Sequence, residues 1–167
     1  GVMADLVSPA EIARVTRAHG IWGEYVISVG NIEPRKNQVR LIDAFCALPR
    51  EVTAGVTLVL VGAGAWNEGE IRARERAAVA AGHRVLVLLG EVDDADLPAL
   101  YSGARCSAYV SFYEGFGMPP LESMACGTPV VVSRESVMPE VAGGAARLVD
   151  VDAPEPIAAG LAEVLAL

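Results

Sequence analysis

Apolar residues in this chain fall into short continuous runs separated by amphipathic stretches. YVISVG (residues 25–30), TLVLVG (57–62), RVLVLLG (84–90), CSAYVS (106–111) and PVVVS (129–133) are strand-sized, and a weaker run follows at 146–149. Between them the spacing predicts helices over 36–48, 68–81, 94–102 and 119–126, with a last one from Pro154 onward. Strands apolar on both faces that alternate with helices form a parallel sheet covered on each side. The pattern therefore predicts a Rossmann-like, doubly wound α/β fold with a sheet of about six strands. Ahead of it, Ser8-Pro9-Ala10-Glu11 has capping-box form and predicts a lead-in helix to about His19, stopped at Gly20.

A length of 167 residues fits one domain. Residues 1–22 read as a lead-in helix and interdomain segment, and 23–167 as the ligand-binding domain. No internal repeat interrupts the alternation. The 13 basic and 21 acidic residues leave a net charge of −8, and no Lys or Arg cluster is long enough to follow a phosphate backbone. This excludes nucleic acid as a partner and requires that any anionic ligand be held locally, by backbone amides and one or two placed cations. The apolar runs fall well short of the roughly 20 residues of a membrane span, and no signal peptide is visible. Cys46, Cys106 and Cys126 are an odd number without metal-ligand spacing, as expected of reduced core thiols in a cytoplasmic protein. The chain begins abruptly and stops inside a helical pattern, which reads as an excised domain.

In a doubly wound sheet ligands bind beyond the carboxyl ends of the strands, where the winding direction switches. That rule singles out the loops at 31–36, 63–67, 91–93 and 112–118. In SFYEGFGMPPLE (111–122), Gly115 and Gly117 allow a ligand close to the backbone, and Pro119 or Pro120 can open a helix with free N–H groups at its mouth. Glu114 and Glu122 suit the vicinal hydroxyls of a sugar and a ribose. Taken alone, the same residues fit equally well a Gly-containing turn whose second glutamate complements the helix dipole. Arg35 and Lys36 tip the balance. At a predicted helix start they oppose the macrodipole, and a diphosphate in the crevice would reward them. The competing explanation is a solvated pair outside the helix proper, with Asn37 as its cap.

Other motifs carry less. Gly62-Ala63-Gly64 resembles the start of a dinucleotide fingerprint, but it follows the second strand and Asn67 stands where the third glycine belongs. Asp94-Ala95-Asp96 matches a metal-binding D-x-D pattern. It sits at a predicted helix start, where Asp93 as cap and Asp96 at the third position explain it. His19 and His83 have no partner at ligand or triad spacing. Trp66 fits either a base pocket or a loop anchor.

SVGNIEPRKN, LVGAG, LGEV, YEGFGMPPLESMACGTPVV and MPEVAG, in this order and spacing, resemble the C-terminal domain of retaining GT-B glycosyltransferases of family 4. The resemblance runs from about Gly23 onward. It implies one domain of a two-domain enzyme, with the N-terminal acceptor domain absent from this chain. It also implies that Arg35 and Lys36 hold the donor diphosphate and stabilise it as it leaves, and that Glu114 contacts the donor sugar. The backbone of Gly115, Phe116, Gly117 and Met118 would surround sugar and phosphate, Glu122 would bind the ribose, and Val92 would flank the base. Gly30 and Leu121 complete the implied donor-binding set. No metal and no cofactor besides the nucleotide sugar is implied. The combination of IEPRKN with YEGFGMPPLE is most similar to bacterial mannosyltransferases using GDP-mannose, with a UDP-hexose donor or a non-catalytic nucleotide-sugar-binding module as alternatives. The implied enzyme is cytoplasmic, peripheral at the inner face of the membrane, and without its acceptor half should turn over negligibly.

Overall fold

The computed structural model describes residues 7–63, 68–112, 123, 125–134 and 146–167. Helix α1 (Pro9–Ala18) opens the described chain, and the Ser8 hydroxyl accepts the Glu11 N–H at 3.1 Å, one half of the expected capping box. The Glu11 carboxylate turns to Arg14 instead, whose hydrogen bond holds the Glu11 carboxyl below the usual carboxylate range. Strand β1 (Glu24–Val29) is followed by helix α2 (Gln38–Cys46), the single turn α3 (Arg50–Thr53) and strand β2 (Val56–Gly62). Then come helix α4 (Glu68–Ala80), β3 (Arg84–Leu89), α5 (Leu97–Gly103), β4 (Cys106–Tyr109), β5 (Val130–Ser133), β6 (Ala146–Val149) and α6 (Pro154–Leu165). Of the helix expected over 119–126, Ser123, Ala125 and Cys126 are described; the first two are helical and Cys126 lies in the turn that follows. Gly127 closes it with φ 79°, the left-handed backbone expected of a residue that ends a helix.

All strand pairs are parallel, in the order β3-β2-β1-β4-β5-β6. Successive residues of a strand face opposite sides, so each strand feeds two cores. On one side Leu58, Leu60, Val26 and Ala108 meet Leu41, Ile42 and Phe45 of α2, Ile71 of α4, and Ile157 and Leu161 of α6. On the other, Val59, Val61, Ile27 and Val132 meet Val15 of α1 and Leu100 and Tyr101 of α5. Full burial of a Val or Leu stabilises by about 1.5–3 kcal/mol, so two such layers explain continuous apolar strands. The lead-in helix α1 is part of the second core through Val15, which is fully buried.

The three cysteines are free. Burial pushes the Cys106 thiol up to about 12, and Cys46 is raised for the same reason. Among the described residues no helix is long and apolar enough to cross a membrane.

Candidate functional site

In this strand order the winding reverses between β1 and β4, so their carboxyl ends border the crevice where such folds take ligands. The chain leaving β1 stays close to β2 at first. Gly30 N–H donates to Val61 O at 2.8 Å and Ile32 N–H to Ala63 O at 3.4 Å. It then tightens into a 3-10 turn, Pro34–Lys36, closed by Lys36 N–H to Glu33 O at 2.9 Å and Asn37 N–H to Pro34 O at 3.1 Å. Asn37 is left-handed (φ 64°, ψ 27°), and α2 starts only after it. The Gln38 side-chain amide donates back to Asn31 O at 2.8 Å and fixes the loop against its own beginning.

Lys36 folds back over the end of β1. A Cβ built on Gly30 would stand 3.8 Å from both Cε and Nζ of Lys36. The cation is thus held at the carboxyl end of a central strand beside the switch point. Gly30 also lines a recess of about 210 Å³ with Asn31, Gly62, Gly90 and Val92. Of the residues expected at the site from the sequence, Gly30 thus lies against Lys36 and shares the recess with Val92. Arg35 lies in the same 3-10 turn. Glu114, Gly115, Phe116, Gly117, Met118, Leu121 and Glu122 lie outside the described residues, as does Trp66.

Two sequence expectations need correction. The helix expected to start at Lys36 begins at Gln38 because the left-handed Asn37 interrupts it. Arg35 and Lys36 precede that helix, so the conflict with its dipole is weaker than expected; the macrodipole acts within the first turn. Nor does Asn37 cap α2, since its side chain makes no capping bond. The second correction concerns D-x-D. Asp94–Asp96 is a 3-10 turn preceding α5, and the side chain of Asp93 makes no cap bond. The Asp96 carboxylate lies 3.4 Å from Arg14 and 3.9 Å from His19 Nε2, so it ties the loop to α1. His19, left without a role in the sequence, is one of its neighbours.

Sequence patterns missed two contacts at the crevice. The Asn37 amide nitrogen donates to Val110 O at 3.0 Å and Val151 O at 3.2 Å. The signal for it was the residue type, because Asn tolerates left-handed backbone better than most. Arg40 of α2 stands 5.1 Å above the ring centroid of Phe112, an exposed aromatic just past β4. No periodicity announces such a pair.

Sheet order, two-sided helical cover and a lysine seated at a central strand end define a Rossmann-like, doubly wound α/β domain with its crevice at the switch point. Residues 19–167 match the family model described as glycosyl transferases group 1, and the chain belongs to that family. It is 38% identical over 159 residues to O-antigen chain mannosyltransferase B of Escherichia coli, covering 95% of this chain and 41% of the relative. It is 36% identical over 136 residues to the serotype-specific mannosyltransferase WbdA of the same organism, covering 81% of this chain and 17% of that protein. The fold is similar to the C-terminal domain of a glycosyl transferase group 1 family protein (LpcC) from Francisella tularensis. That match has a TM-score of 0.81 and 21% identity and covers 99% of this chain and 87% of the other. The chain is thus a glycosyltransferase domain spanning less than half the length of these curated relatives.

Proposed function

We propose that this domain is the donor-binding half of a retaining, family 4 glycosyltransferase of GT-B fold. It would move a hexose, mannose from GDP-mannose, to a glycan or lipid-linked acceptor. The observation that carries the reading is the Lys36 side chain laid over Gly30 at the end of β1, a fixed cation at the switch point of a chain whose net charge is −8. An acidic domain does not collect a nucleoside diphosphate by its overall field, so a locally seated ammonium is what such a ligand needs. The two mannosyltransferase relatives support the choice of sugar.

In this proposal the bond between the sugar's anomeric carbon and the diphosphate breaks, and its electron pair goes to the leaving oxygen. Lys36 and Arg35 neutralise that charge, which is the task a metal performs in other transferases. The acceptor oxygen bonds to the anomeric carbon on the same face, and its proton passes to the departing phosphate. Glu114 orients the sugar, Glu122 the ribose, and the backbone of Gly115, Phe116, Gly117 and Met118, with Leu121 and Gly30, encloses the donor. The recess beside Val92 takes the base. A second, N-terminal domain supplies the acceptor side, in a cytoplasmic enzyme acting at the inner face of the membrane.

The test is a thermal-shift panel of GDP-mannose, GDP, guanosine, UDP-glucose and UDP at millimolar concentration. A ligand present at tenfold its Kd should raise the midpoint by about 3–5 °C. GDP-mannose and GDP are expected to do so, the uridine ligands not. Absence of a shift with every nucleotide would sink the donor reading, and a shift with the uridine ligands alone would move the base assignment to uracil.

A further inference from the structure

We propose that Asn37 is a positioning residue of the donor site, whose side-chain amide sets the distance between the Lys36 turn and the exit of β4. The inference rests on the donor reading above and adds to it a residue that touches no ligand.

The backbone ladder between β1 and β4 is short. Val26 pairs with Cys106 and Ile27 with Ser107, whereas β1 and β2 stay paired from Glu24 to Val29. Beyond Ile27 the two central strands part, which opens the crevice and also removes the hydrogen bonds that would fix its width. Two side chains continue the link where the ladder stops. The Ser28 hydroxyl donates to Ala108 O at 2.6 Å, and further out the Asn37 amide donates to Val110 O at 3.0 Å. The second bond from Asn37, to Val151 O at 3.2 Å, reaches the segment leaving β6, where Arg40 also donates at 2.7 Å. One buried amide thus joins three chain segments on the rim of the crevice.

Asn37 holds this place against a backbone preference. It is the one non-glycine residue with positive φ among the described residues, a conformation glycine adopts without cost. It stands where a cap of α2 would stand, yet its side chain makes no capping bond. At 7% exposure its amide is nearly out of water, so its N–H groups require the carbonyls they meet. Asn reconciles the two demands, a left-handed turn directly after Lys36 and a donor aimed across the switch point. Val110 is followed by Ser111 and Phe112, so the bond sets the spacing between the Lys36 turn and the chain leaving β4 in the direction of Glu114.

Asn37→Gly keeps the left-handed turn and deletes the cross-link. Asn37→Asp keeps the shape but turns a carboxylate toward two carbonyl oxygens. Both variants of the chain would be compared with the parent by segment-resolved hydrogen exchange and by calorimetric titration with GDP and with guanosine. In folded Asn37→Gly, exchange at residues 110–112 and 150–152 should accelerate about tenfold while β2 and β3 keep the parent rates. GDP should bind roughly tenfold more weakly, with guanosine within about twofold of the parent. Asn37→Asp should lose more GDP affinity than Asn37→Gly. A merely structural role would lower GDP and guanosine binding together, and that result overturns the proposal, as does unchanged exchange at 110–112. If the parent itself binds no GDP, the donor reading fails, and the exchange comparison still decides whether Asn37 holds the crevice rim.

Discussion

Lys36 lies against Gly30 so closely that a methyl group on Gly30 would touch its ammonium end, at 3.8 Å from Nζ. The aliphatic stem follows the backbone at the end of β1, and the charge sits at that strand end beside the switch point. Stem and charge can be separated by substitution, because long cationic side chains combine apolar packing with a charged head. Lys36→Met keeps most of the stem, and Lys36→Ala removes both. Each should weaken GDP binding by roughly ten- to hundredfold, the range for losing a hydrogen bond to a charged group, and leave guanosine nearly unaffected. Titration calorimetry with the two ligands measures it. Equal losses for both would place Lys36 away from the phosphates.

Gly62 makes the same region sensitive from the neighbouring strand. A Cβ on Gly62 would overlap the Gly30 carbonyl oxygen and stand 3.1 Å from the Gly30 carbonyl carbon and 3.5 Å from Asn31 Cα. The obstacle is backbone, which has no rotamer with which to move aside. Gly62→Ala must therefore displace the start of the Lys36 loop, at about 1–3 kcal/mol, the usual cost of overpacking. Gly69 is the internal control, since a Cβ there meets nothing within 4 Å. It lies in the first turn of α4, where alanine is the better helix former by up to about 1 kcal/mol. Denaturant midpoints should thus move in opposite directions for the two substitutions. A Gly62→Ala protein as stable as the parent, with unchanged GDP affinity, would show that the β1 exit yields freely.

The strands were legible because burial on both faces writes continuous apolar runs, and β2, expected over 57–62, spans Val56–Gly62. Helix α4, expected over 68–81, spans Glu68–Ala80. Short and bent elements were not legible. The single turn Arg50–Thr53 is too brief for a helical period, and the break at Asn37 depends on carbonyls from residues far along the chain. The same holds for Asp96, whose partner Arg14 is 82 residues away. At the site, the switch-point rule pointed to the loop after β1, where Gly30 lies against Lys36 and shares a recess with Val92. Which atoms hold that loop in place was invisible, because a side-chain amide reaching another segment leaves no periodic trace. Glu114 and Glu122 lie outside the described residues, so their place rests on the sequence.

At the edge of the sheet, among the described residues, β3 pairs with β2 on one side only, and its other side would offer free backbone groups to any passing strand. Two side chains of α4 occupy those groups at Val87. Arg72 Nη1 donates to Val87 O at 2.8 Å, and the Val87 N–H donates to the Glu75 carboxylate at 2.7 Å. Arg72 and Glu75 also pair at 3.0 Å, so each holds the other in position over the strand. The pair thus substitutes for a missing neighbouring strand. Replacing both residues by alanine bares the Val87 groups in the middle of an apolar strand. The variant should lose about 1–3 kcal/mol for the two released backbone groups and self-associate more than the parent. Sedimentation velocity across a concentration series, with denaturant melts, measures both effects. Arg74→Ala is the comparison, because its bond to Asp43 is half exposed and should contribute less than about 1 kcal/mol. If the double variant stays as stable and as dispersed as Arg74→Ala, the Arg72–Glu75 pair is an ordinary surface ion pair and β3 is protected by other means.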